Sequence, residues 1–207
     1  MFTMGKKTAS YFTSKFTQYF KRAAKTSVFS IGRPNVEEFS ADDWIYIING
    51  NVAYRIAPGL YDLVQPAAMV ARPKPGEVVN LGSKIFDIET ILRVWKSNAD
   101  CCTYPAVMTP FSFSLKNGDV VDVFSISGAG AIAPAAINHE FIAQLGAPQC
   151  VEWLGHSSTG AIMGKVGNGF VEFLFMSIRI APEDADTFTA IAERYRPIPE
   201  DTQKKEA

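Results

Sequence analysis

The sequence predicts an α+β fold, mainly antiparallel β, with a sandwich or jelly-roll-like sheet body and about four peripheral helices. Three observations carry this expectation. Asn-Gly pairs recur at Asn49-Gly50, Asn117-Gly118 and Asn168-Gly169, each between stretches rich in β-branched and aromatic residues. Asn-Gly readily supplies the positive φ angles that a type I′ hairpin turn requires, so each pair reads as the tip of a hairpin. The stretch Val171–Ile180 is apolar at both alternating sets of positions, which suits a strand in the interior of a sheet covered on both sides. Finally, 47% apolar residues in a chain of 207 suffice for a real core.

Taken in order, the chain opens with a basic segment. In Ser10–Lys25, helical spacing puts Phe12, Phe16, Phe20 and Ala23 on one stripe, with Lys15, Arg22 and Lys25 away from it. A secretory signal would need a continuous apolar run, which is missing here. An acid-free amphipathic segment also suits an organellar presequence, although those favour Arg and this one is mostly Lys. Ser27–Ile31 reads as a short strand, broken by Gly32-Arg33-Pro34.

A hairpin follows, Trp44–Ile48 and Asn51–Ala57. A two-residue turn at Asn49-Gly50 places Ile45, Ile47, Val52, Tyr54 and Ile56 on one face, with Trp44, Tyr46, Ala53 and Arg55 on the other. Trp44 then stands opposite Arg55 as a cation–π pair. From Pro58 to Gly76, four prolines and two glycines indicate an irregular, packed connection. Glu77–Leu81 reads as a strand, and Ser83–Lys96 as a helix capped by Ser83, with Ile85, Ile88, Leu92 and Trp95 on one face.

The hairpin Tyr104–Lys116 and Asp119–Ser127 turns at Asn117-Gly118, so that Lys116 faces Asp119. Phe111, Phe113 and Leu115 then line one face with Val120 and Phe124. Asp122 falls on that apolar face, which demands either a bulge or a buried partner. Pro134–Leu145 reads as a helix, because Ile137, Phe141 and Leu145 are spaced by four and Gly146 follows. Cys150–Leu154 is a strand. The last hairpin pairs Val166 with Val171, Lys165 with Glu172, Gly164 with Phe173 and Met163 with Leu174. Pro182 begins a final helix with Ala185, Phe188, Ile191, Ala192 and Tyr195 inward. Residues 1–36 thus form a basic arm, 37–196 a β-rich domain and 197–207 a solvated tail.

Charge is the most suggestive functional feature. The net charge is −1, yet residues 1–36 hold seven basic side chains and no acid, leaving 13 basic and 21 acidic residues to the rest. Such asymmetry indicates an anionic partner. Lys6, Lys7, Lys15, Lys21, Arg22 and Lys25 are the expected contacts to nucleic acid or a neighbouring subunit, with Phe12, Phe16 and Phe20 as apolar anchors. The layout of a basic arm and a β-rich body resembles that of small viral coat proteins. It is a resemblance of layout and implies self-association in a particle, with the protein structural and non-enzymatic. Peripheral attachment of the arm to a membrane surface is a further reading. No run reaches the roughly 18 to 20 apolar residues of a spanning helix.

Chemistry has fewer footholds. Three cysteines, none in C-x-x-C, and two histidines suggest neither a disulfide framework nor a metal site, and free thiols fit a reducing cytoplasm or an assembled particle. No cofactor is expected. Gly155-His156-Ser157-Ser158-Thr159 approaches the nucleophile elbow G-x-S-x-G, but the fifth residue is Thr159 and no histidine follows His156. Ser157, His156 and His139 are therefore the weaker, hydrolytic alternative, built on the Gly155–Gly160 loop. His139 with Glu140 reads as a solvated helix face rather than a metal site. A ligand pocket lined by Trp44, Tyr46, Trp95 and Trp153 would accompany such an activity.

Overall fold

The computed structural model describes residues 29–37, 40–48, 52–62, 70–81, 86–128, 130–145, 151–166 and 171–197. The arm helix at Ser10–Lys25, the turns at Asn49-Gly50 and Asn168-Gly169, Ser83, Ile85, Gly146 and most of the tail lie outside them.

The chain forms β1 (Phe29–Gly32), β2 (Ile45–Ile48), β3 (Val52–Ile56), β4 (Val78–Leu81), α1 (Ile88–Asn98), β5 (Tyr104–Ser114), β6 (Val120–Ser127), β7 (Ile132–Asn138), α2 (His139–Leu145), β8 (Val151–Gly155), β9 (Ile162–Val166), β10 (Val171–Phe175) and α3 (Ala185–Arg194). The strands join in the order β4-β1-β2-β3-β10-β9-β8-β5-β6-β7, and every pairing is antiparallel. The fold is α+β, mainly antiparallel β, and three meanders (β1-β2-β3, β8-β9-β10 and β5-β6-β7) account for nine of the ten strands. Because β1 is an interior strand, the sheet begins before position 37.

β5 lets one sheet become two layers. Its first residues, Tyr104 and Pro105, pair with β8, whereas the remainder pairs with β6 across a register shift between Met108 and Ser112. A bulge bends a strand and sharpens its twist. Here β6 and β7 fold over the inner face of the larger layer: Phe124 meets Trp153 edge-on at 5.1 Å between ring centroids, and Phe141 stacks on Phe175 at 6.2 Å. Ile31, Ile47, Tyr54, Val171, Phe173 and Phe175 belong to the same core as Ile126 and Ile137. On the far side of the larger layer, α1 buries Ile91 and Trp95 against Tyr46, Ala53 and Leu174. On the far side of the smaller layer, α3 seats Phe188 on Val121, Val123 and Ala136. β10 is buried at all five positions, as its two apolar faces require.

The register of β9 and β10 is the one the sequence indicates, Val166↔Val171 through Met163↔Leu174. The β2–β3 register differs by two residues, with Ile47 opposite Tyr54 and Tyr46 opposite Arg55. Since side chains alternate with period two, an even shift leaves the faces as expected. Trp44 is thus not directly opposite Arg55, although the Arg55 guanidinium still lies over its ring at 4.6 Å.

At Asn117-Gly118 the loop holds three residues instead of two. The Leu115 amide donates to the Asp119 carbonyl, the Gly118 amide donates to the Leu115 carbonyl, and Gly118 takes φ +88°. This is a type I turn followed by a left-handed glycine. The one-residue change reverses the expected face. Phe113 pairs with Val121, on the α3 side, and Ser112 pairs with Asp122. Lys116 bonds Glu183 at 3.0 Å instead of facing Asp119.

Two helix expectations need correction. Residues 132–138 are a strand, and only His139–Leu145 is helical. Pro134 is tolerated because β7 pairs with β6 alone, which leaves one edge outside the ladder. That edge is capped at Ala136, whose carbonyl accepts from the Ile178 amide and whose amide donates to Ser177 Oγ. α1 begins at Ile88, and its cap is Asp87, whose carboxylate accepts from the Thr90 amide at 2.7 Å.

Gly155 sits where the layers touch, and a Cβ there would fall 2.7 Å from Ile126. Gly155→Ala should lower stability by about 1–3 kcal/mol through overpacking. In urea this appears as a lower midpoint at unchanged slope.

Candidate functional site

Two clusters gather chemistry-bearing side chains, and both arise from charged residues placed where strand alternation calls for apolar ones. The first crosses the α1 face of the larger layer. Register aligns Tyr46, Arg55, Glu172, Lys165 and Glu152 in one row across β2, β3, β10, β9 and β8. Arg55 Nε donates to Glu172 Oε2 at 2.5 Å, with the two side chains 24% and 7% exposed. The guanidinium lies over Trp44 at 4.6 Å and Trp95 at 5.0 Å, and Tyr46 packs edge-on against Trp95 at 5.7 Å. Burial alone would lower the Arg55 pKa, but the hydrogen bonds to Glu172 and Tyr46 outweigh it and raise it. Burial pushes the Tyr46 phenol up. This aromatic box already holds its cation, so it acts as a lock between β2, β3, β10 and α1.

The second cluster lies on the inner face of β6. Asp122 shares that face with Phe124 and Ile126, and its side chain is only 7% exposed. Of the two answers to the misfit, the second holds: the register shift in β5 leaves Asp122 on the inner face, and its carboxylate has partners. Ser112 Oγ donates to Asp122 Oδ1 at 2.6 Å, and His139 Nδ1 lies 3.0 Å from each carboxylate oxygen. His139 reaches this position because β7 runs straight into α2 there. Its side chain is half exposed, so a buried carboxylate backs a solvent-facing imidazole.

The remaining sequence candidates fall elsewhere. Lys6, Lys7, Lys15, Lys21, Arg22, Lys25, Phe12, Phe16 and Phe20 lie outside the described residues. Arg33 is no arm cation. It is buried in a bidentate pair with Asp43, at 2.8 and 2.7 Å, which ties the end of β1 to the loop before β2. His156 opens the tight turn between β8 and β9, and its Nδ1 accepts from the Ser158 amide at 3.2 Å. Ser157 stands against Gly128 beyond the end of β6, whereas His139 contacts Asp122 near the start of that strand. At ~3.3 Å per residue this separates them by roughly 20 Å, so Ser157, His156 and His139 are not assembled together. Trp44, Tyr46 and Trp95 do converge, but Trp153 faces the opposite core.

Sequence reasoning missed Ser112 and Arg55 as partners of the two buried carboxylates. The available signal was the alternation itself, which put Asp122 and Glu172 among apolar neighbours. Among the described residues no group of three or more His, Cys, Asp or Glu side chains is placed to hold a metal ion, and no helix is long and apolar enough to cross a membrane.

Glu172→Gln should destabilise the fold by about 2–4 kcal/mol, since it leaves Arg55 partly buried without its counter-charge. The double variant R55M/E172L should lose less than the two single variants combined, as a double-mutant cycle by urea denaturation would show. Burial pushes the Cys102 thiol up to about 12, so it stays protonated near pH 8 and should resist iodoacetamide in the native protein while exposed Cys101 is alkylated. Peptide mass mapping before and after denaturation checks this. Comparison with family models, curated proteins and solved structures returned no match for this chain.

Proposed function

We propose that this is a structural protein, coat- or scaffold-like, that self-associates and uses its basic N-terminal arm to hold nucleic acid. The observation that carries the reading is the division of charge. Residues 1–28 hold six basic side chains and no acid, whereas the rest of the chain holds 14 basic and 21 acidic residues. The next basic residue along the chain, Arg33, is paired with Asp43, so the acid-free run of cations is the six that precede β1. An acidic body repels nucleic acid and confines the contact to the arm, where cations displace counterions from phosphates. A neighbouring copy's acidic body offers the arm a second anionic surface, which is how one segment serves both packing of copies and retention of nucleic acid.

Replacing Lys6, Lys7, Lys15, Lys21, Arg22 and Lys25 together by Gln tests this. The natural chain should bind a single-stranded oligonucleotide with a log K against log salt slope of about −4 to −5, and the substituted chain with a slope near zero. Size-exclusion chromatography read at two wavelengths reports bound nucleic acid and association state together. Retained nucleic acid with an unchanged slope would refute the role of the arm. Loss of association without any change in nucleic-acid binding would make the neighbouring copy its sole partner.

A further inference from the structure

The two histidines of the chain set their Nδ1 atoms against opposite kinds of partner, a carboxylate at His139 and a backbone amide at His156. A carboxylate only accepts, so the bond between His139 and Asp122 calls for a proton on Nδ1, and in the neutral ring the lone pair then lies on Nε2. A backbone amide only donates, so the Ser158 amide calls for a lone pair on His156 Nδ1, which also lies 3.0 Å from Ser158 Oγ, and in the neutral ring the proton then lies on Nε2. In the neutral rings Nε2 is thus a base in His139 and an N–H in His156.

We infer that His139 Nε2, backed by the buried Asp122 carboxylate, is a nucleophilic site that accepts acyl groups from small neutral esters. Taking an acyl group at Nε2 creates a positive imidazole ring, and the buried Asp122 carboxylate, 3.0 Å from Nδ1, lies where it offsets that charge. Ser112 Oγ donates to Oδ1 of the same carboxylate and helps to fix its orientation. The exposed Glu140 next to His139 adds a second negative charge, which repels anionic acyl donors and favours neutral ones. In the reaction the Nε2 lone pair attacks the ester carbonyl carbon. The N–C bond forms, the C–O bond breaks and the leaving phenolate departs with its electron pair. Water then adds to the positive acyl-imidazole, the N–C bond breaks, and the carboxylate leaves together with two protons, one taken up by the phenolate or solvent and one by solvent, so that Nε2 regains its lone pair. Asp122 touches no substrate in this scheme and is a positioning residue. The inference is independent of the arm and its partner.

Three measurements on the full chain test it. Nitrogen-15 chemical shifts should show the Nδ1–H tautomer at His139 and the Nε2–H tautomer at His156. Diethyl pyrocarbonate, a neutral acyl donor, should modify His139 at least about tenfold faster than His156 by mass mapping of the unsubstituted protein. Release of p-nitrophenolate from p-nitrophenyl acetate should fall at least about tenfold in H139Q and stay unchanged in H156Q. Asp122→Asn should slow release and redistribute the His139 tautomers, a readout that a merely structural role would not move. The first two measurements need no variant, so a poorly folded variant does not protect the proposal. Equal modification of the two histidines, or an Nε2–H tautomer at His139, would overturn it.

Discussion

The architecture depends on one constraint, that β10 must be covered on both faces. Val171, Phe173 and Phe175 point one way, Leu174 points the other with Glu172, and all five are buried. A single sheet facing water cannot satisfy such a strand. The chain meets the requirement by pairing β10 between β3 and β9, laying α1 over one face and turning β5 so that β6 and β7 cover the other. α3 then follows, because the smaller layer would otherwise expose Val121, Val123 and Ala136.

Charged groups inside this frame are each answered by a specific partner. Arg33 has Asp43, Glu172 has Arg55, and Asp122 has Ser112 and His139. Buried ion pairs contribute little net stability compared with apolar residues of equal size, yet losing one partner is costly. Arg55 and Glu172 are 117 positions apart, so their pair fixes which strands meet, whereas the Arg33 and Asp122 contacts, ten to seventeen positions apart, fix how neighbouring segments meet.

Legibility from sequence followed the range of the forces involved. Strand alternation and the Asn-Gly pairs were readable because both are local, and the β9–β10 register follows from them directly. The register at Asn117-Gly118 was not readable, since the same dipeptide also closes a three-residue loop when Gly118 alone is left-handed. The spacing of Ile137, Phe141 and Leu145 suggested one helix through Pro134. Its first half pairs with β6 instead, a tertiary contact that overrides a local pattern. Arg33 was counted with the arm because composition cannot tell a solvated cation from one bonded to a residue ten positions on. The Asp122 misfit was visible, but its partners are brought to it by a bulge and a strand-to-helix junction that leave no periodic trace.

The sandwich satisfies its own buried charges, and the partner proposed for the arm's cations lies outside it. Amide hydrogen exchange of the full chain, with and without a single-stranded oligonucleotide at low salt, addresses that separation most directly. The account predicts new protection confined to residues 1–28, with the amides of Phe173 and Leu174 exchanging at the same slow rate in both conditions. Protection that instead maps to the β-sheet body and leaves residues 1–28 unaffected would contradict it.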